Sequence, residues 1–355
     1  MSMQTHSYFF FQEGAERLRA ALKGGSERIP VYAAMHDFAR HDLNLSSQAF
    51  YSKPDVFVPA ILDTHLKYGI DVVTIGYDTY NIEAGAMGQK VTFEEDSVPS
   101  LRGPIIHGPD DLKRIKTPDF SSDGRFPFAN GCNALFQEMT GLPPVIKFCA
   151  PFSLAANLRG VENLIMDILS DPDFARELLD TVTETVIAPW ISYQQKLFPD
   201  ATSLCGADAF SSPPILSPSM VRDWSLPYVL KLRDLCGDGV YVPNWVGDRC
   251  SNGSHEMLDY KLQACPKFLI GQDPDVETLG PEAYYRYAAE KNVPLVLGLG
   301  TKFLAHASRS EVCERVQRYT ATGRKHGRFA LYLCGLGKTT PPENIKAVSE
   351  TLNAQ

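Results

Sequence analysis

The sequence has few of the features that mark nucleic-acid-binding, membrane or secreted proteins. Its 34 Lys and Arg residues are outnumbered by 42 Asp and Glu residues, and it contains no basic stripe. A nucleic-acid partner is therefore not expected. No long unbroken apolar run exists, so no membrane span and no membrane partner are predicted. The start of the chain lacks a charged segment followed by a long apolar stretch, which argues against a secretory signal and favours a cytoplasmic location.

The short motifs of several enzyme classes are also absent. There is no HExxH, no GxSxG and no Gly-rich phosphate loop, and LGLGTKF (297–303) is only a weak phosphate-binding candidate. The 8 cysteines are scattered and include no CxxC pair. This pattern predicts reduced, mostly buried thiols in a cytosolic protein, although one or two could be metal ligands or nucleophiles.

Eight short apolar runs predict eight strands. Each run ends in small or polar residues and is followed by a segment with helical periodicity, which indicates strands that are buried on both faces of a parallel sheet. The runs cover residues 29–35, 71–77, 144–150, 201–210, 239–246, 267–273, 293–300 and 329–336.

Eight β/α repeats favour a single (β/α)8 barrel, a TIM barrel, that uses residues 1–355 as one domain. The rival fold is a doubly wound sheet, which normally has a Gly-rich phosphate turn after its first strand. The first predicted strand here runs into His36-Asp-Phe-Ala-Arg40, which contains no glycine.

Two segments do not fit the minimal repeat. Residues 1–28 precede the first strand and are expected to form an N-terminal helical extension that acts as a lid or plug. Residues 81–140 form a long insertion after the second strand, with a predicted hairpin and a short helix. Because βα-loops build the active-site walls of barrels, we expect this insertion to cover the carboxyl-terminal face.

Polar residues follow nearly every predicted strand, at the end of the barrel where catalysis occurs. As a set they predict a polar pocket with at least two carboxylates. Each residue alone could be a rim residue without a role, Asp208 could cap the next helix, and Asp273 could organise a turn. The set comprises His36, Asp37, Arg40, Tyr77, Asp78, Asp208, Asn244, Trp245, Gln272, Asp273, Thr301, Lys302, Cys334 and Lys338.

Four segments resemble the uroporphyrinogen decarboxylase superfamily: residues 76–88, 149–180, 215–232 and 334–348. The superfamily includes the decarboxylase and methyltransferases that move methyl groups to or from corrinoids or thiols. The resemblance covers nearly the whole chain and implies that Asp78 matches the catalytic aspartate of the decarboxylase.

Three other positions depart from the decarboxylase pattern. Of its RxxxR segment only the second arginine remains, as Arg40. The decarboxylase tyrosine corresponds to Asn157 and the late histidine to Cys334. A tetrapyrrole with many carboxylates needs several cations, so decarboxylation of uroporphyrinogen itself is disfavoured.

The methyltransferase branch carries a zinc site with a His-x-Cys motif and a late cysteine. Cys334 matches that cysteine, but the His-x-Cys position reads Asn244-Trp245-Val246. Three alternatives remain open. The protein could work without a metal and use Asn244, Asp78 and Asp208 as hydrogen-bonding groups, it could build a rearranged site from Cys334 with His36 or Cys250, or it could have lost catalysis.

The resemblance implies a methyltransferase that acts between a small methylated substrate, or a folate, and a corrinoid (cobalamin) carried by a partner protein. Asp78 would be an acid/base or a charge partner, while Asn244 and His36 would orient the substrate and Asp208 would assist. Arg40, Tyr77, Asn157, Trp245 and Lys338 are expected to line the substrate site. The alternatives are a metal-independent carboxy-lyase, in which Arg40 holds a carboxylate, and a non-catalytic barrel that binds a ligand or a corrinoid protein. A homodimer is compatible with the resemblance.

Overall fold

The computed structural model describes residues 8–95, 97–243 and 255–355. Each of the eight predicted runs contains one strand, and two further strands form the predicted hairpin. The strands are β1 (Val31–Ala33), β2 (Val72–Val73), β3 (Lys90–Thr92), β4 (Ser100–Arg102), β5 (Ile146–Cys149), β6 (Leu204–Ala207), β7 (Val240–Tyr241), β8 (Leu269–Gln272), β9 (Leu295–Leu299) and β10 (Phe329–Leu333).

The strand order is that of a TIM barrel. One parallel sheet has the order β2-β1-β10-β9-β8 and a second has the order β5-β6-β7, while β3 and β4 pair antiparallel outside both sheets. The first and last barrel strands are therefore neighbours, as ring closure requires. Within the described residues no strand ladder joins β2 to β5 or β7 to β8.

Helices follow the barrel strands and cover the sheets. They are α1 (Phe9–Lys23), α2 (His36–Asp42), α3 (Ser47–Phe50), α4 (Pro54–Tyr68), α5 (Thr79–Ala86), α6 (Pro109–Leu112), α7 (Phe126–Thr140), α8 (Pro151–Arg159), α9 (Val161–Ser170), α10 (Pro172–Thr181), α11 (Ala188–Leu197), α12 (Pro218–Trp224), α13 (Leu226–Cys236), α14 (Glu256–Ala264), α15 (Asp275–Leu279), α16 (Pro281–Glu290), α17 (Thr301–His306), α18 (Arg309–His326) and α19 (Pro342–Asn353). A π-helical turn (Val182–Ile187) joins α10 to α11, and a 3-10 turn (Ala209–Ser211) follows β6. No helix in the described part of the chain is long and apolar enough to cross a membrane.

The two faces of the barrel strands differ in chemistry. The outward residues, such as Ile146, Leu204, Leu295 and Leu331, belong to the main apolar core beneath the helices. The inward residues alternate with them and line the interior of the barrel, which we call the lumen. Polar, thiol and aromatic side chains are frequent on this inward face, which includes Tyr32, Lys147, Cys149, Cys205, Tyr241, Ile270, Gln272, Val296, Gly298, Ala330 and Tyr332.

Helix α1 covers the amino-terminal end of the barrel. Its Leu18 and Leu22 pack against a layer of inward residues that includes Ile270, Val296 and Ala330. These three residues are paired in register across β8, β9 and β10, each near the start of its strand. The lumen is therefore closed from below by apolar side chains.

Asp71, at the start of β2, anchors this helix. Its fully buried carboxylate pairs with Arg17 and Arg28 and accepts a hydrogen bond of 3.0 Å from the Val31 backbone. The helix approaches so closely that a Cβ atom on Gly14 would lie 1.8 Å from the Asp71 carbonyl oxygen. Only glycine fits at that position, because any side chain would collide with the backbone.

Candidate active site

Asp78 lies where β2 ends and α5 begins, with a side chain that is only 7% exposed. Its carboxylate pairs with Arg125 and accepts a hydrogen bond of 2.6 Å from Asn81 Nδ2. Burial raises the pKa of Asp78 to about 7, and the nearby Arg125 charge opposes that rise. The group is therefore poised between its two protonation states near neutral pH, which suits an acid or base.

Arg125 is a site residue that the sequence patterns do not indicate. It lies just before α7 in the insertion, and its side chain is 13% exposed. Besides Asp78, it donates to the Tyr51 backbone carbonyl at 2.6 Å, and its guanidinium lies over the rings of Phe93 and Phe128. The insertion thus supplies the cation that neutralises the carboxylate after β2.

His36 begins α2 directly after β1 and packs against the end of β2. A Cβ atom on Gly76 would lie 2.6 Å from His36 Cε1, so the glycine leaves space for the imidazole. Burial lowers the pKa of His36 to about 4, and the charge of Lys147 lowers it further. His36 is therefore neutral at pH 7 and can accept or donate one hydrogen bond.

Asp37 and Arg40 connect the first and last βα-loops. Arg40 is 3% exposed and donates from Nε (3.1 Å) and Nη2 (3.0 Å) to Asp37 Oδ1. Its Nη1 donates to the carbonyls of Leu45 (3.3 Å) and Glu95 (3.4 Å). The Lys338 backbone donates to Asp37 Oδ2 at 3.3 Å. Arg40 is thus already engaged in four hydrogen bonds that hold the loops.

Asp208 lies at the end of β6 and is 1% exposed. Ser153 donates to Oδ1 from its backbone (3.0 Å) and its hydroxyl (2.7 Å), and the hydroxyls of Ser211 and Ser225 donate to Oδ2 at 2.6 Å each. Ser153 is in the first turn of α8, so Asp208 satisfies a free amide at that helix start. The sequence left open that Asp208 caps the helix that follows it, but its carboxylate accepts from the start of the preceding helix α8 instead.

Tyr80 links this region to Asn157. The Tyr80 hydroxyl accepts a hydrogen bond of 3.2 Å from the Ala209 backbone, and the Tyr80 carbonyl accepts one of 2.9 Å from Asn157 Nδ2. Burial raises the pKa of Tyr80, and the nearby thiols of Cys149 and Cys334 and the Asp208 carboxyl add to the effect. The ends of β2, β6 and β10 therefore face one another at the mouth of the lumen.

Cys334 follows β10 on the inward face and is 7% exposed. Its thiol is close enough to Tyr32 and Tyr332 to raise the pKa of both phenols, in addition to the larger effect of burial. The Thr301 hydroxyl donates to the Cys334 carbonyl at 2.5 Å and fixes the loop after β10. The late cysteine therefore lies on the lumen side of the barrel, beside these two phenols.

Two predicted positions are not brought to the lumen. The Tyr77 hydroxyl lies 3.4 Å from Gln194 Oε1 of the outer helix α11, and Asp273 binds Arg315, Tyr319 and the Gly300 backbone. These contacts join the end of β8 to helix α18 and to the residue after β9, whereas the sequence predicted a local turn-forming role. Asn244 and Trp245 lie outside the described residues.

A rearranged metal site, one of the alternatives left open by the sequence, would need several side chains that can bind a metal ion. Within residues 8–95, 97–243 and 255–355, no group of three or more His, Cys, Asp or Glu side chains could hold a metal ion. Cys250, a possible ligand in a rearranged site, lies outside those ranges. A structural or catalytic zinc needs three or four protein ligands, so the described side chains do not fit a zinc site by themselves.

The profile of the uroporphyrinogen decarboxylase (URO-D) family matches residues 14–355. The chain belongs to this family. A uroporphyrinogen decarboxylase of Xanthomonas axonopodis pv. citri is 27% identical over 342 residues, which cover 93% of the chain and 92% of the relative. The resemblance read from the sequence is therefore confirmed.

A methylated-thiol–coenzyme M methyltransferase of Methanosarcina mazei is 29% identical over 182 residues. That match covers 48% of each protein, so the chain spans about half the length of this relative. Among solved structures, a methyltransferase from Methanosarcina mazei aligns with a TM-score of 0.75 and 20% identity, covering 95% of this chain and 97% of that one. This likeness confirms the barrel fold of the URO-D family.

Proposed function

We propose that this URO-D family member is a methyltransferase that moves a methyl group between a small methylated substrate, or a folate, and a corrinoid protein. The observation that carries the proposal is the position of Cys334, on the inward face where the last barrel strand ends. The similarity to the Methanosarcina methylated-thiol methyltransferase supports the same reaction class. A corrinoid on the partner would supply the cobalt that takes or gives the methyl group.

The side chains around the lumen suit such a transfer. His36 is neutral at pH 7, so it can orient a substrate by a hydrogen bond without adding charge. Asp78, with its pKa near 7, can take the proton of a thiol or hydroxyl acceptor or return one to a leaving group. The neutral phenols of Tyr32 and Tyr332 flank Cys334 and limit the water that reaches it.

The test is to mix the purified protein with methylcobalamin and a panel of thiol acceptors, and to follow the corrinoid spectrum. We expect acceptor-dependent loss of methylcobalamin, which Cys334→Ala and Asp78→Asn reduce at least tenfold. Cys313→Ala is the matched control, because Cys313 lies on the outer helix α18. An unchanged spectrum with every acceptor, and with methyltetrahydrofolate as donor to cob(I)alamin, would count against the proposal.

A carboxy-lyase is the second candidate, and the raised pKa of Asp78 favours it. A carboxyl group that is partly protonated at neutral pH could protonate the carbanion left after loss of CO2. Arg40 is less available to hold a substrate carboxylate, because Asp37 and two backbone carbonyls already occupy it. Release of labelled CO2 from small carboxylic acids, abolished in Asp78→Asn, would favour this reaction. If neither CO2 release nor methyl transfer occurs, the non-catalytic alternative gains support.

A further inference from the structure

Lys147 brings a positive charge into the lumen. It is the second residue of β5, between Ile146 and Phe148, which both belong to the outward apolar core. Side chains alternate along a strand, so Lys147 faces the opposite way. Its register partner is Cys205 on β6, which belongs to an inward cluster separate from that core.

The ammonium group of Lys147 has no partner in the described part of the chain. No hydrogen bond or ion pair of Nζ is formed within residues 8–95, 97–243 and 255–355, and the side chain is half-buried. Its charge lowers the pKa of His36, which places the two side chains near each other. Barrel interiors are usually filled by bulky aliphatic residues, and a charged group inside a protein is normally paired.

We propose that Lys147 binds a carboxylate group of the substrate. This inference depends on the proposed function in one respect: it assumes that the substrate binds in the lumen. His36 is neutral, and burial keeps Tyr32, Tyr241 and Tyr332 protonated, so none of these four groups carries a charge that balances the lysine. A monoanion balances one ammonium, whereas a phosphate dianion would leave a net negative charge.

The geometry also restricts the size of the ligand. The lumen is closed below by Leu18 and Leu22, and the rings of Tyr32 and Tyr332 stack with centroids 4.7 Å apart. We therefore expect a small carboxylic acid, with its carboxylate towards Lys147 on β5 and its other end towards Cys334.

Isothermal titration with propionate tests the inference, and propionamide is the uncharged analogue of the same shape. We expect propionate to bind the wild-type protein at least tenfold more tightly than propionamide. Lys147→Met and Lys147→Gln should each weaken propionate binding about 10- to 100-fold, the effect of losing a charge-assisted hydrogen bond. Neither substitution should change the affinity for propionamide.

Lys147→Arg is the conservative variant, and it should retain more propionate affinity than Lys147→Gln. Lys231→Met is the control for net charge, because Lys231 pairs with Asp180 and Glu184 outside the barrel. It should leave propionate binding unchanged. Equal affinity for propionate and propionamide, or unchanged propionate affinity in Lys147→Gln, would overturn the inference.

Thermal unfolding separates ligand binding from a structural role. Lys147→Met replaces an unpaired ammonium with an apolar group of similar length, so the melting temperature without ligand should stay the same or rise. A fall in the melting temperature of both Lys147→Met and Lys147→Gln would assign the lysine to folding and overturn the inference.

These measurements need neither turnover nor a corrinoid. If methyl transfer is absent but propionate binding depends on Lys147, the proposed reaction fails and the carboxylate site stands. If methyl transfer proceeds with an uncharged substrate at equal rate in the wild type and in Lys147→Gln, the reaction stands and the carboxylate site fails.

Discussion

Arg125 and Asp78 form an ion pair at the mouth of the lumen, although 47 residues separate them in the sequence. Arg125 belongs to the insertion and Asp78 to the end of β2, so the pair joins the insertion to the barrel. The guanidinium is also fixed by the Tyr51 carbonyl and by two aromatic rings. The carboxylate that the family resemblance marks as catalytic is thus held by a residue outside the β/α repeat.

Arg125→Met should destabilise the protein, because it leaves the carboxylate of Asp78 buried without its cation. Loss of one partner of a fully ionised buried pair costs about 3–5 kcal/mol in the free energy of unfolding, and the loss here should be smaller, because Asp78, whose pKa burial raises to about 7, can take up a proton instead. Arg102→Met is the matched control, since Arg102 pairs with Glu94 on the exposed hairpin, where the cost should stay below about 1 kcal/mol. Urea unfolding at pH 7 measures both, and equal losses would contradict the importance of the buried pair.

Glu83 should make the stability of the protein depend on pH. It is fully buried on α5, and its Oε1 accepts a hydrogen bond of 2.8 Å from the Cys149 backbone at the edge of β5. Burial raises the pKa of Glu83 to about 8. The contribution of Glu83 to the free energy of unfolding is therefore complete below the ordinary pKa of about 4.3. It is lost progressively as the pH rises from there to the folded-state pKa of about 8.

Glu83→Gln keeps the acceptor for Cys149 and cannot ionise. Relative to this variant, the wild type should lose free energy of unfolding between pH 5 and pH 9, as urea unfolding at several pH values would measure. Glu282→Gln is the control, because Glu282 pairs with Lys325 at the surface. Parallel stability curves for the wild type and Glu83→Gln would show that Glu83 ionises normally.

Gly76 and His36 should be energetically coupled. Gly76→Ala places a methyl group 2.6 Å from His36 Cε1, and overpacking of this kind costs roughly 1–3 kcal/mol. In Gly76→Ala/His36→Ala the clash is absent, so the double variant should be more stable than the sum of the single effects predicts. Thermal unfolding of the four proteins measures the coupling, and strict additivity would mean that the imidazole does not contact Gly76.

Ser225→Ala should test whether Asp208 is an anchor. The substitution removes one of the hydroxyl donors to the buried carboxyl group and should cost about 1.5–3 kcal/mol in the free energy of unfolding. Ser219→Ala, on an exposed turn of α12, should change it by less than about 0.5 kcal/mol. Turnover that survives in Ser225→Ala and in Asp208→Asn would assign Asp208 to structure, whereas its loss in Asp208→Asn alone would support the catalytic role.

The sequence predicts the barrel well because its signals are local. Strands buried on both faces leave continuous apolar runs, and all eight runs contain a strand. The structure also places four residues that follow predicted strands at the lumen or its mouth, namely His36, Asp78, Asp208 and Cys334. Helix α1 could be expected to be helical, but its position below the barrel depends on contacts with Asp71 that no local pattern reveals.

The partners of the site residues could not be predicted. Arg125 reaches Asp78 through the fold of the insertion, and the hydroxyls around Asp208 come from three separate segments. Tyr77 follows β2 like Asp78 but faces the helical layer, because the side-chain direction depends on the exact register. Lys147 did leave a signal, since it is the one charged residue in the apolar run 144–150.

Because Leu18 and Leu22 pack beneath the barrel interior, the substrate of the proposed reaction would enter from the carboxyl-terminal end, and its product would leave by the same end. In the proposed reaction, the product would then have to leave before a new substrate molecule could enter. The product should accordingly compete with the substrate for the free protein. A corrinoid protein bound over this end, as proposed, would also have to dissociate between turnovers.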